Sequence, residues 1–125
     1  MNKCKLNIWK REFLLPVIYE CYYSEEVLDS QKVAFSLLKD SINEVNDSLE
    51  QVKQYIKETN ASQLIDSECE NIFRYVMPKS IFVPHSTSHF IAAIMCNYKF
   101  DVEHGIAVVF ENGRFKKVGP QDIVL

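Results

Sequence analysis

Gly105-Ile106-Ala107-Val108-Val109-Phe110-Glu111-Asn112-Gly113-Arg114-Phe115-Lys116-Lys117-Val118 holds two strand-like runs joined by a two-residue turn. Asn112-Gly113 between apolar runs is the strongest short hairpin signal, because both turn residues must adopt positive φ. A two-residue loop fixes the register. Phe110 then faces Phe115, and Glu111 faces Arg114 as an opposite-charge pair. All three glycines, Gly105, Gly113 and Gly119, fall in this part of the chain and mark the ends and turn of its sheet.

Working upstream, residues 89–96 form an apolar run with the character of a central strand buried on both faces. Ile81-Phe82-Val83 reads as a short strand bounded by Pro84. Residues 68–76 read as a short helix with Ile72, Phe73 and Val76 turned inward, ended by Pro78, which cannot continue the helical hydrogen-bond ladder. The clearest helix starts at Ser41-Ile42-Asn43-Glu44, a capping box in which Glu44 reaches back to the N-cap amide. Its apolar positions Ile42, Val45, Leu49, Val52 and Ile56 recur at three, four, three and four. Asp29 or Ser30 caps an earlier helix carrying Val33, Ala34, Leu37 and Leu38. Residues 5–23 read as two strands bending over residues 12–16, with Pro16 opening the second. The predicted order is strand-strand-helix-helix-(helix)-four strands. That order implies one α+β domain, residues 1–125, with an antiparallel sheet and two to three helices on one face.

The 125 residues are 47% hydrophobic and 25% charged, ordinary for a globular domain, and the net charge is −3. The charge is unevenly spread. Residues 1–11 hold four bases and no acid, residues 12–70 hold 13 acids and 4 bases, and residues 71–125 hold 6 bases and 4 acids. An acidic middle does not suit nucleic acid, whose phosphates call for clustered Lys and Arg. It suits a basic protein, although an acidic helix surface is also ordinary solvated polarity. Cys4, Cys21, Cys69 and Cys96 include no C-x-x-C pair. With no apolar leader and no run long enough to span a bilayer, reduced thiols in the cytoplasm are expected, away from the membrane.

Chemistry, if any, gathers at Asp101-Val102-Glu103-His104-Gly105, with His85 and His89 upstream. Imidazoles and carboxylates are zinc or iron ligands, and His85, His89 and His104 are the candidates if a metal binds. In an extended segment His85 and His89 would stand about 13 Å apart, too far to share one ion. The expectation is therefore no metal, no cofactor and no catalytic residue. Asp101 caps the loop amides, His104 tucks against the sheet, and Gly105 supplies an unusual φ. No nucleophile elbow, P-loop or dinucleotide fingerprint occurs. Ser86, Thr87 and Ser88 read as turn residues. Trp9, Tyr19, Tyr22 and Tyr23 beside basic residues are base-stacking candidates, with packing on a sheet face the commoner role.

The stretch Asp101-Val102-Glu103-His104-Gly105, continuing through Asn112-Gly113 to Gly119-Pro120-Gln121-Asp122, resembles the end of a family of small bacterial proteins of unknown function. A looser likeness reaches Ile81-Phe82-Val83 and Ser30-Gln31. Relatives of this type are similar to immunity proteins encoded beside polymorphic toxins. The resemblance implies a non-enzymatic protein that occludes a basic toxin, and it brings no catalytic residues with it. Binding residues would be Asp101, Glu103 and His104 on the turn, with Glu44, Asp47 and Glu50, joined by Glu25 and Glu26, steering on the helices. Two alternatives stand beside this one: a small metal-dependent enzyme using Asp101, Glu103 and His104, and a module that oligomerises through the seam of Ile42, Val45, Leu49, Val52 and Ile56. Oligomeric state is left open.

Overall fold

The computed structural model describes residues 3–21, 26–66, 68–86 and 88–125. Tyr22, Tyr23, Glu25 and Thr87, which figure in the sequence expectations, lie outside the described residues. The α+β class holds. Strands β1 (Lys3–Ile8), β2 (Arg11–Tyr19), β3 (Val76–Val83), β4 (Ile91–Tyr98), β5 (Ile106–Glu111) and β6 (Arg114–Gly119) lie in one sheet in sequence order. Helices α1 (Asp29–Lys39), α2 (Ile42–Asp47) and α3 (Leu49–Asn60) fill the crossover from β2 to β3. α2 and α3 meet at Ser48, which serves as the C-cap of one and the N-cap of the other.

The sheet is mixed, where an antiparallel one was expected. β2 and β3 run parallel through Val17–Ile81, Ile18–Phe82 and Tyr19–Val83, and every other pairing is antiparallel. A two-residue turn forces antiparallel neighbours, whereas a long helical crossover lets the next strand return parallel. Buried Gln31 secures that junction. Its Oε1 accepts the Leu28 amide at 2.9 Å, and its Nε2 donates to the carbonyls of Glu20 at 2.8 Å and Val83 at 3.1 Å. Leu28, rather than Asp29 or Ser30, stands at the N-cap, and the Ser30 hydroxyl donates instead to the Ser86 carbonyl.

The expected helix over residues 68–76 is a 3-10 turn, Ile72–Arg74, capped by Tyr75 and then followed by β3. Its inward residues still pack inward, with Ile72 and Val76 buried and Phe73 against the core. Pro78 lies inside β3, beside a register shift between Pro78 and Ser80. β2 covers only Ile81 to Val83 of that strand, so the missing Pro78 amide leaves no ladder bond unmade on that side. The first hairpin turns at Trp9-Lys10, not over residues 12–16, and Pro16 sits within β2 opposite Lys3. Trp9 and Lys10 take φ of 53° and 68°, values usually left to Asn and Gly. Tertiary contacts hold them there. The Trp9 ring is buried near Phe73 and its Nε1 donates to Ser48 Oγ at 3.2 Å, while the Lys10 amide donates to Asn46 Oδ1 at 2.9 Å. Buried in this way, Trp9 presents no face for stacking on a base.

The helices lie on one face of the sheet, as expected. Ala34, Leu38, Val45, Val52 and Ile56 join Leu15, Ile81, Ile94 and Val108 in the main core. Val33 and Ile42, expected inside, are exposed. On the opposite face Ala93, Met95, Ala107 and Val109 form a second apolar cluster, covered by Ile123 and Val124 of a C-terminal 3-10 turn, Gln121–Val124. Among the described residues no helix is long and apolar enough to cross a membrane.

Candidate binding site

The loop between β4 and β5 is a self-satisfied turn. The Gly105 amide donates to the Asp101 carbonyl at 2.9 Å, and Asp101 Oδ1 accepts the His104 amide at 3.2 Å. His104 Nδ1 lies 3.1 Å from both Asp101 oxygens. The His104 amide holds the Asp101 carboxyl below its usual range, and the hydrogen bond to Asp101 raises the His104 imidazole. The capping role expected of Asp101 is thus present. His104 does not tuck against the sheet. It is exposed and turned onto Asp101, while Glu103 beside it is exposed as well.

Gln121 joins this turn to the end of the chain. Its amide donates to the His104 carbonyl at 3.0 Å and its Nε2 to the Cys96 carbonyl, also at 3.0 Å. Gly105 sits beneath it at φ +61°, where a Cβ would come within 2.6 Å of both the Cys96 carbonyl and Gln121 Nε2. The Asp101–Gly105 turn and the Gly119–Asp122 stretch are therefore parts of one contact. A Gln two residues after a Gly gives no local sign of a partner some twenty residues upstream, so this contact is not readable from sequence.

The histidines do not assemble. His89 Nδ1 lies 3.2 Å from Glu111 Oε2, before the first residue of β4, whereas His104 follows its last. That strand has eight residues, so the two histidines are separated by roughly 25 Å. The His85 amide donates to Glu20 Oε1 at 2.9 Å. Among the described residues no three His, Cys, Asp or Glu side chains gather in a way that could hold a metal ion.

Of the acids expected to steer a partner, Asp47 and Glu50 are exposed on the helical layer, as are Asp29 and Asp40, and Glu26 is exposed ahead of α1. Glu44 serves the fold instead. The expected capping box is absent: Ser41 Oγ donates to the Leu37 carbonyl at 2.6 Å, and Glu44 Oε1 accepts the Phe115 amide of β6 at 3.0 Å. The hairpin has the predicted register, with Asn112 and Gly113 at φ of 55° and 76°. The Glu111 carboxylate, however, reaches Lys116 Nζ at 2.7 Å as well as His89, rather than ending on Arg114. Both contacts hold it below its ordinary range, Lys116 the more strongly.

A mixed six-stranded sheet with helices on one face and a short C-terminal turn closing the other defines an α+β domain whose exposed chemistry is polar loop and acidic helix. The chain belongs to the DUF6985 family, a domain of unknown function, whose model matches residues 2–125. No curated protein and no solved structure matches it.

Proposed function

We propose that the chain is a non-enzymatic binding protein whose helical layer engages a basic protein, in the way the immunity-protein likeness implies for a toxin neutralised by occlusion. The observation that carries this reading is a set of exposed carboxylates, without ion-pair partners among the described residues, on helices where acids outnumber lysines. Asp29, Asp40, Asp47 and Glu50 are exposed on α1, α2 and α3, and none forms an ion pair among the described residues. Unpaired acids on one layer create a negative field that speeds encounter with a positive surface more than it tightens the final complex.

The test is association kinetics with the protein encoded beside this one in the genome. A one-to-one complex is expected, forming more slowly as salt rises. Asp47→Lys with Glu50→Lys should slow association about tenfold and change dissociation little. Absence of any complex, or an on-rate indifferent to salt and to both substitutions, would defeat the reading.

A further inference from the structure

A cavity of about 270 Å³ lies on the sheet face away from the helices. Its floor is apolar, built from Ile91 and Val109 of neighbouring strands and from Ile123 and Val124 of the closing 3-10 turn. Its rim carries two consecutive ammonium groups, Lys116 and Lys117. Successive residues of a regular strand point to opposite faces, so two neighbouring lysines on one rim require an irregularity. The register supplies it. Phe110 stands opposite Phe115 and Val109 opposite Lys117, which leaves Lys116 as the extra residue of a β-bulge. A bulge sets two residues against one and re-aims a side chain. The other face shows the same displacement, since Phe115 and Val118, flanking the pair, both pack into the helix-side core.

The two lysines are not equivalent. Lys116 is held 2.7 Å from the Glu111 carboxylate, whereas Lys117 is exposed and makes no ion pair among the described residues. An inorganic anion would leave the floor unused, and a neutral apolar molecule would leave the ammonium group unmatched. The volume falls just below the roughly 300–1,000 Å³ typical of small-molecule pockets, which excludes a bulky occupant.

We infer that this cavity binds a small organic anion with an aliphatic body, a medium-chain monocarboxylate being the simplest member. The head group sits on Lys117, with Lys116 beside it, and the chain lies on Ile91, Val109, Ile123 and Val124. The floor of this site is on the face opposite the helices, while Lys117, on the edge strand, also borders a cleft with Gln54 and Glu58 of α3. Binding here does not rest on the acidic helices engaging a partner. The probe is octanoate, titrated into the full chain while the methyl resonances of those four floor residues are followed by NMR. Octanol and inorganic phosphate are titrated in parallel. Octanoate should give saturable shifts at the floor, with both controls at least tenfold weaker. Lys117→Glu should weaken octanoate at least tenfold while leaving the circular dichroism spectrum unchanged, and Lys117→Arg should retain binding. No saturable shift overturns the inference. So does octanol binding as well as octanoate, phosphate binding without it, or undiminished binding in Lys117→Glu.

Discussion

Asp101 and His104 are three residues apart and each shifts the other's titration. A raised imidazole contributes stability that is complete below its unfolded value, near 6.5, and is lost as pH rises through its folded value. A depressed carboxyl contributes above its unfolded value, near 3.8, and loses that contribution as pH falls through its folded value. The contact is therefore complete between those two unfolded values and fades on either side. An NMR titration should find His104 above the ordinary imidazole range, and Asp101→Asn should return it there; an unmoved His104 would mean that another group sets its charge. Gly105 is the second residue of consequence in this turn. Gly105→Ala demands a positive φ of an L residue and drives its Cβ into the Cys96 carbonyl, so urea denaturation should show a loss of about 1–3 kcal/mol. Stability within error of the parent would show that the loop can move away. Asp101 and Gly105 are legible in sequence because a turn is a local object. The position of His104 is not legible, because nothing local says whether an imidazole chooses the sheet or a carboxylate.

At the scale of elements, α2 acts as a clamp between two hairpins. Asn46 takes the Lys10 amide at the tip of the first, and Glu44 takes the Phe115 amide at the edge of the last. Glu44 thereby covers an edge-strand donor that would otherwise be open to another chain. Glu44→Ala should lose about 1.5 kcal/mol, the low end for a hydrogen bond to a charged group, and should speed hydrogen exchange at the Phe115 amide. Glu44→Gln keeps an acceptor and should lose less. Unchanged exchange at Phe115 would return Glu44 to the helix-capping role its spacing suggests. The same contrast separates the readable elements from the others. Asn112-Gly113 declares its hairpin because the turn residues themselves tolerate positive φ. Trp9-Lys10 forms an equivalent turn only because Ser48, Asn46 and Phe73 hold it, and those partners lie far along the chain. Phe115-Lys116-Lys117-Val118 carries a local signal of its own: two charged residues between two apolar ones break the strand period and mark the bulge.

Across the whole molecule, the two edge strands of the sheet come to the same short helix. Laid flat, β1 and β6 would stand about 24 Å apart, five strand spacings. Yet Glu44 and Asn46, two residues apart on α2, reach Phe115 and the turn that follows β1. The sheet must therefore curl around the helical layer. The concave side so formed is filled by the seam that sequence alone offered as an oligomer contact, apart from its exposed first member, Ile42. Val45, Val52 and Ile56 are wholly buried within the one chain. Three- and four-residue spacing records that a stripe is apolar, and it cannot record whether the stripe meets its own sheet or another copy. The two possibilities separate by mass action. Ile56→Ala removes buried methyl and methylene groups and should cost about 2–5 kcal/mol. If the seam packs on its own sheet, the denaturation midpoints of parent and variant stay fixed over a hundredfold range of protein concentration. If copies pack through it, both midpoints rise with concentration, because association stabilises the folded chain only in proportion to the partner present. A rising midpoint would therefore assign the seam to an interface and leave the curled monomer without its core.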